Sequence, residues 1–362
     1  MLDFVPASPA GDFNSPAYSP ALPVRHKPEF TGSAREYFGI WFVNLLLSVL
    51  TLGIYSAWAK VRTERYFYGN TRLAGSTFHY LASPIAILKG RLVAYAVVIG
   101  LGVSSRFSPG VYAVLLLGVF ALMPALMVWS MRFRARNSAW RGLSFRFDSG
   151  AGEAYGPFLL WVWLSSLTAT LLYPSMKRRQ HEFVVEGHRY GVKRFTFHGI
   201  SGKYYAPYLI AVGSVVGAGI LAAVGFGLAS ASGAFDKSAL NAGGIGAIVL
   251  LYLGFIGLVI FLRVRYVNLM WNSAQLAGNR FESTLRARDL MWIYASNLVA
   301  IVCTFGLAVP WAMVRLARYR AANFSMTTTG DLDEFAAASE RRTGAMGYEL
   351  VDALDTGVDI GL

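Results

Sequence analysis

Seven long apolar segments constrain what this 362-residue chain can fold into. A helix needs about 20 mainly apolar residues to cross the hydrocarbon core of a bilayer, which is about 30 Å thick. The segments are continuous and do not alternate between apolar and polar residues, which favours helices over outer-membrane strands. They cover residues 38–59, 87–104, 109–131, 156–174, 206–230, 244–262 and 290–314.

The composition agrees with a membrane protein. Hydrophobic residues make up 55% of the chain and charged residues only 15%, whereas soluble domains carry about 25% charged residues. The net charge is +13, and the Lys and Arg residues lie between the apolar segments, as they do in cytoplasmic membrane loops. We therefore predict membrane lipids, including anionic ones, as partners, and no nucleic acid.

Polar tails flank one predicted membrane domain. Residues 1–29 are rich in Pro, Ser and Ala and contain no apolar signal-peptide core, so we predict a disordered tail. Residues 30–324 form the membrane domain. Residues 325–362 form an acidic tail in which eight acids face two arginines, a net charge of −6. This tail is either solvated or folded back on the basic loops.

Three of the seven segments do not fit a simple pattern of spans. Segments two and three, and five and six, form hairpins with short neutral turns. Segments one, four and seven have basic residues on both sides, so if every basic loop is cytoplasmic they dip into the membrane and return, or lie in the interface. Thr51-Leu52-Gly53 and Thr304-Phe305-Gly306 are candidate hinges. The alternative is seven plain spans.

The chain contains a predicted internal repeat. Eleven residues between Asn44 and Asn70 recur 253 positions later, between Asn297 and Asn323. After several helix ends, a Gly turn precedes a Phe-x-Phe or Phe-x-Tyr alternation, which is typical of a half-buried strand. The predicted fold class is therefore an all-α polytopic membrane protein, a helical bundle of pseudo-repeats with short cytoplasmic β-hairpins.

The residues from Glu36 to Ala59 and from Arg65 to Gly75 resemble the YjgN family of bacterial inner-membrane proteins. The resemblance extends from about Phe30 to Glu334. It implies a multi-pass protein of the bacterial inner membrane, and the charge pattern places most hydrophilic loops in the cytoplasm. The family is a domain of unknown function, so the resemblance implies no catalytic residue.

Candidate functional residues fall into two groups. The first group lies at the predicted helix breaks. It forms either interhelical hydrogen bonds between the repeats or a polar lining for a solute path. Its members are Asn44, Thr51, Gly53, Asn297, Thr304 and Gly306. The second lies at matched helix ends and serves either structural pairing or binding of anions and lipid headgroups; it comprises Arg62, Arg65, Arg132, Arg134, Arg263, Arg265, Arg315 and Arg318.

Motifs for catalysis, nucleotides or metals are not found in the sequence. His181 and His188 stand beside Glu182 and Glu186, where a solvated basic loop is favoured over a metal site. We predict no cofactor and no metal. A membrane enzyme is the third hypothesis, because the sequence lacks a nucleophile–base pair and offers only His79, His188 and His198 near the basic loops. The leading functional hypothesis is a transporter or channel for a small or anionic solute. The alternative is a non-catalytic lipid-binding or scaffold protein, and the sequence leaves a homo-oligomer open.

Overall fold

The computed structural model describes residues 23–231 and 237–329. The helices are α1 (Ala34–Leu50), α2 (Ser56–Gly69), α3 (Pro84–Phe107), α4 (Pro109–Arg136), α5 (Ala151–Tyr155), a π-helical turn (Gly156–Leu160), α6 (Trp161–Leu167), α7 (Tyr173–Gly187), α8 (Ser201–Ala231), α9 (Lys237–Asn272), α10 (Ala287–Cys303) and α11 (Val309–Ala322). The strands are β1 (Val24–His26), β2 (Glu29–Phe30), β3 (Thr71–Leu73), β4 (Ser76–Tyr80), β5 (Ser138–Trp140), β6 (Leu143–Phe147), β7 (His188–Tyr190), β8 (Lys193–Phe197), β9 (Ala274–Leu276), β10 (Asn279–Ser283) and β11 (Phe324–Thr328).

Within the described part of the chain, four helices are long and apolar enough to cross a membrane. They are Pro84–Phe107, Pro109–Arg136, Ser201–Leu228 and Val249–Asn272, and they coincide with predicted segments two, three, five and six. The share of buried residues in these helices does not exceed 17%. Their exposed Leu, Val, Ile and Phe side chains suit a lipid environment.

The other three apolar segments are broken in the middle. Five-residue turns at 51–55, 168–172 and 304–308 separate α1 from α2, α6 from α7, and α10 from α11. The first and last of these turns each contain a glycine at the third position, Gly53 and Gly306. Their φ angles of +90° and +93° are left-handed. Helices α1 and α10 have 17 residues each, so each rises only roughly 25 Å before the chain reverses.

All eleven strands belong to one antiparallel sheet, in the order β1-β11-β10-β9-β8-β7-β6-β5-β4-β3-β2. Two-residue turns join four consecutive strand pairs. In three of the turns both central residues have positive φ, namely Ala74-Gly75, Arg141-Gly142 and Ala277-Gly278. This sign pattern is that of the type I′ turn, whose twist matches the twist of the flanking strands.

The predicted fold class is wrong, because the β-hairpins are not separate appendages of an all-α bundle. A lone two-stranded hairpin is marginally stable in water, and each free edge presents unpaired backbone groups. Here each hairpin pairs with the next one along the chain, as β4 does with β5 and β8 with β9. The alternation in the sequence identifies each strand locally but contains no signal for these distant pairings.

The sheet curls round on itself into a cup. Strands β1 and β2 lie at opposite edges of the sheet, yet only Lys27 and Pro28 separate them in the chain. His26 and Glu29 are three Cα steps apart, so the two edges lie within about 11 Å of each other. This curled sheet, from β1 to β11, is called the cup below.

Each of the three broken helix pairs begins and ends at the cup, because the strands before and after it belong to the same sheet. Residues 24–26, which fall in the predicted N-terminal tail, form β1, and β11 ends at Thr328. Residues 1–22 of the N-terminal tail and 330–362 of the acidic tail lie outside the described residues.

Candidate functional site: a cavity between the cup and the helix ends

The inner face of the cup is apolar and largely aromatic. A buried cluster gathers one side chain from each of five strands: Leu73, Trp140, Tyr190, Leu276 and Met326. Phe78, Phe145, Phe195 and Phe281 pack against this cluster. Because side chains alternate between the two faces of a strand, the intervening polar and basic residues point outwards.

The buried cluster forms the floor of the cup, and Tyr190 is its most buried residue, with 1% of its surface exposed. Its ring centroid lies 4.9 Å from that of Phe145 and 5.6 Å from that of Trp140. The Tyr190 hydroxyl donates a hydrogen bond of 2.8 Å to the carbonyl oxygen of Trp140. Burial raises the pKa of Tyr190, and the positive charge of Arg141 lowers it by a smaller amount. The hydroxyl therefore stays protonated and keeps this bond.

A cavity of about 950 Å³ lies above this floor. One face each of α2, α9 and α11 forms its walls, together with Leu290 and Tyr294 of α10. Along α9 the lining extends from Val259 to Trp271. The 12 steps from Val259 to Trp271 correspond to roughly 18 Å of helix, so the cavity reaches from the sheet into the length of a membrane-spanning helix.

Four charged side chains interrupt the apolar lining: Lys60, Glu64, Arg263 and Arg320. Lys60 and Glu64, one turn apart on α2, form an ion pair. The side chains of Arg263 on α9 and Arg320 on α11 are exposed. Neither arginine makes a hydrogen bond or ion pair with any residue in 23–231 or 237–329. Among the residues that the structure describes, the cavity lining therefore has a local charge of about +2, and no acidic side chain pairs with the two arginines.

The predicted polar residues do not meet one another in this cavity. Asn44 is buried and its amide donates to the carbonyl oxygen of Ala59, at 3.4 Å, on the second helix of its own pair. Asn297 makes the same bond to Ala312, also at 3.4 Å. Each asparagine thus ties together the two helices on either side of its own turn.

Thr51, Gly53, Thr304 and Gly306 form the turns themselves. The Thr51 hydroxyl donates to the carbonyl of Leu47 at 2.7 Å and accepts from the amide of Tyr55 at 2.9 Å. Thr304 makes the corresponding two bonds at the same distances, 2.7 and 2.9 Å. These groups satisfy the backbone at the break and leave little polarity for a solute path.

The eight predicted arginines separate into structural and exposed ones. Three bind within the protein: Arg132 donates to the carbonyl of Ser149, Arg315 to Asn297 and Ser296, and Arg318 to the carbonyl of Gly32. Arg265 lies over the ring of Phe261 at 5.5 Å. Arg62, Arg65 and Arg134 are exposed. Only Arg263 lines the cavity.

Sequence reasoning missed most of the cavity. Lys60, Glu64 and Arg320 were not among the predicted site residues, although Lys60 and Arg320 belong to the same basic helix ends. The Phe-x-Phe alternation predicted a buried face on the strands. It could not predict that the buried faces of nine strands point into one space, because that depends on the curvature of the sheet.

The histidines considered for a metal site have other contacts. His181 Nδ1 lies 2.9 Å from the hydroxyl of Tyr204. Burial, reinforced by the charge of Lys177, lowers the pKa of His181 to about 4. No cluster of three metal-ligating side chains exists among the residues that the structure describes.

The fold defines a multi-pass membrane protein with a cavity floored by a curled sheet. A family model described as "Bacterial protein of unknown function (DUF898)" matches residues 25–353. Since this match covers most of the chain, the protein belongs to that family.

Curated relatives support the membrane location. A Salmonella typhimurium protein named "Inner membrane protein YjgN" is 27% identical over 374 aligned positions, covering 88% of this chain and 92% of that protein. An Escherichia coli K12 protein of the same name is 30% identical over 155 positions, covering 42% of this chain and 39% of that protein. No solved structure gives a significant match. The predicted family resemblance and the predicted membrane protein are thereby confirmed.

Proposed function

We propose that this protein binds a membrane-derived amphiphile with an acidic head group in the cavity between the cup and the helix ends. The observation that carries this proposal is that Arg263 and Arg320 line a mainly apolar cavity and form no ion pair with any described residue. It corresponds to the alternative drawn from the sequence, a non-catalytic lipid-binding protein.

The size and lining of the cavity support an amphiphile. Pockets for small molecules have volumes of roughly 300–1,000 Å³ and are mostly apolar with a few polar groups, and this cavity has about 950 Å³. Its aromatic floor suits an apolar chain. Val259 and Ile260 line the end on the membrane helix α9, so an acyl chain would have an apolar surface along its whole route.

The charges support an acidic head group. Guanidinium groups bind carboxylates and phosphates through paired N–H donors. Glu64 is already engaged with Lys60, which leaves the charges of Arg263 and Arg320 for a ligand. A neutral amphiphile would leave both arginines without an anion.

Quenching of tryptophan fluorescence tests this binding, because Trp140 and Trp271 line the cavity. The probes are a brominated long-chain fatty acid and the corresponding brominated alcohol, added to the full chain in detergent. We expect the acid to quench and the alcohol to quench far less. The double variant R263Q/R320Q should weaken binding of the acid at least about tenfold, a loss of about 1.4 kcal/mol.

The matched control is R62Q/R65Q, which removes two exposed arginines from α2 and should leave quenching unchanged. Equal binding of acid and alcohol, or no effect of R263Q/R320Q, would overturn the proposal. Competition then identifies the source of the acidic group. Displacement by phosphatidylglycerol indicates a phospholipid, and displacement by unlabelled fatty acid alone indicates a free acid.

We also infer the orientation and origin of the fold. Most basic residues at the helix ends lie near the cup, and Arg106, at the far end of α3, is an exception; this imbalance supports a cytoplasmic cup by the positive-inside rule. The matching bonds of Asn44 and Asn297 support an internal repeat relating α1–α2 to α10–α11. A single cysteine introduced at Gly142, at a turn of the cup, in a Cys303→Ser background should resist impermeant thiol reagents in intact cells. Labelling there would place the cup outside.

Transport is a second candidate function. The extent of the cavity along α9 supports it, because the mainly apolar lining on that helix, interrupted by Arg263, extends from the sheet into the membrane. The test uses sealed liposomes containing the full chain and a fluorescent fatty acid in one leaflet. Protein-dependent transfer that R263Q/R320Q abolishes would support transport, and binding without transfer would leave a lipid-binding role.

A further inference from the structure

A second cavity, of about 640 Å³, lies on the outer surface of the α10–α11 pair. It is lined by Arg288, Asp289, Trp292, Ile293, Arg315 and Tyr319. Arg288 and Asp289 lie in the first turn of α10, directly after the cup, whereas Arg315 and Tyr319 come from α11. It is distinct from the cavity above the sheet and shares no lining residue with it.

The position of this second cavity corresponds to the level of lipid headgroups. Trp292 is 68% exposed and begins an exposed apolar stripe on α10 that continues through Val299 and Val302. Tryptophan is enriched where a membrane helix meets the headgroup layer. Arg288, one turn earlier in α10, has 86% of its side chain exposed, so it is on the polar side of that boundary.

Arg315 is held in place beside this surface. Its Nη1 donates to the Ser296 hydroxyl at 2.7 Å and to Asn297 Oδ1 at 3.0 Å. The guanidinium carbon lies 5.1 Å from the centre of the Trp311 ring. These bonds use Nη1 alone, so Nε and Nη2 remain available to donate to a ligand.

The carboxylate of Asp289 gives the cavity a second kind of charge. It lies 3.6 Å from Arg288 Nε and 3.4 Å from the hydroxyl of Tyr319, and both contacts are long for charge-assisted hydrogen bonds. A carboxylate in a cavity that two guanidiniums also line favours a ligand that has an anion and a cation close together. A purely anionic headgroup could bind the two arginines but would supply no cation to Asp289.

We propose that this cavity binds the headgroup of a zwitterionic phospholipid that carries a primary ammonium, as phosphatidylethanolamine does. The phosphate lies between Arg288 and Arg315, the ammonium donates to Asp289, and Trp292 packs along the glycerol and upper acyl chain. A choline headgroup fits less well, because its quaternary ammonium has no N–H to donate to the carboxylate.

The α1–α2 pair provides a matched control within the same chain. Arg35, Glu36, Arg62 and Tyr66 occupy the positions of Arg288, Asp289, Arg315 and Tyr319, each 253 residues earlier. Gly39 stands in place of Trp292, and Val43 in place of Ser296. The first pair therefore has the same charges but lacks the tryptophan and the hydroxyl that helps to hold the arginine.

Native mass spectrometry of the full chain, titrated with phosphatidylethanolamine, phosphatidylglycerol or phosphatidylcholine, tests the proposal. We expect phosphatidylethanolamine to bind most tightly. R288Q/R315Q should weaken it at least about tenfold, and D289N should remove the preference over phosphatidylglycerol. R35Q/R62Q should leave binding unchanged.

Equal binding of the three lipids, or an equal loss in R35Q/R62Q, would overturn the proposal. Arg315 also bonds within the protein, so R288Q and W292A are measured separately. Both change exposed side chains and leave the bond between Arg315 and Asn297 intact. If neither weakens the binding of phosphatidylethanolamine, the site is not the one proposed, whatever R263Q/R320Q does in the other cavity.

Discussion

The helix pairs α1–α2 and α10–α11 share one design but differ in the hydrogen bonds of their matching arginines. In both pairs the asparagine amide bonds to a carbonyl across the turn at 3.4 Å. In the second pair, Asn297 Oδ1 also accepts from Arg315. In the first pair, Asn44 Oδ1 is buried and has no hydrogen-bond partner in the described part of the chain, and the matching Arg62 is exposed.

The neighbour of each asparagine accounts for this difference. Ser296 accepts a second bond from Arg315 at 2.7 Å, whereas Val43 occupies the matching position in the first pair and offers no acceptor. An arginine that bends back toward the membrane loses hydration, and two acceptors compensate for this loss better than one. Identical residues at matched positions thus form different contacts when one neighbour changes.

The largest expected effect distinguishes the two asparagines. N297A removes the acceptor of a held arginine as well as the bond to Ala312, and we expect it to lower the free energy of unfolding by about 2–3 kcal/mol. N44A removes one long bond together with an unsatisfied oxygen, and its expected loss is below about 1 kcal/mol. Unfolding in mild detergent measures both. Equal losses would show that the Arg315 bond contributes nothing.

The turn glycines should behave alike. Gly53 and Gly306 have φ near +90°, and a Cβ atom at either position would meet no atom within 4 Å. The penalty for G53A or G306A is therefore conformational only, about 1–2 kcal/mol each. The same unfolding assay applies. A clearly larger loss at one of them would mean that the two turns are not equivalent.

One tyrosine at the cup end of each helix pair provides a finer comparison. The Tyr66 hydroxyl accepts from the amide of Ser33 at 2.8 Å and donates to its carbonyl at 2.9 Å. Tyr319 makes the matching bonds to Arg286 at 3.0 and 3.3 Å. We expect Y66F to lower the stability by about 1 kcal/mol and Y319F by less. The reverse order would contradict an effect set by these distances.

The smallest expected effect is a gain. V43S places in the first pair the hydroxyl that the second pair has, and Arg62 can then bond to it and to Asn44 Oδ1. We expect a coupling of about 0.5 kcal/mol between V43S and Arg62, measured by a double-mutant cycle with R62Q. Independent effects of the two substitutions would show that backbone geometry, not Val43, keeps Arg62 away.

The amino-acid sequence by itself determined the local structure of this protein. Continuous apolar runs identify the membrane helices, because the bilayer sets the length and polarity of a span. The Thr-x-Gly breaks mark the turns of the first and last helix pairs, because only glycine readily takes the left-handed conformation found at Gly53 and Gly306. The motifs from Glu36 to Gly75 were sufficient to indicate the family.

Only the tertiary structure decided how these parts combine. The hairpins were predicted one by one, but their union into one sheet depends on pairing between strands far apart in the chain, such as β1 with β11. The curvature of that sheet brings Trp140, Tyr190 and Met326 together and places Arg263 and Arg320 over them. Strand pairing and cavity shape arise from long-range packing, which local periodicity does not encode.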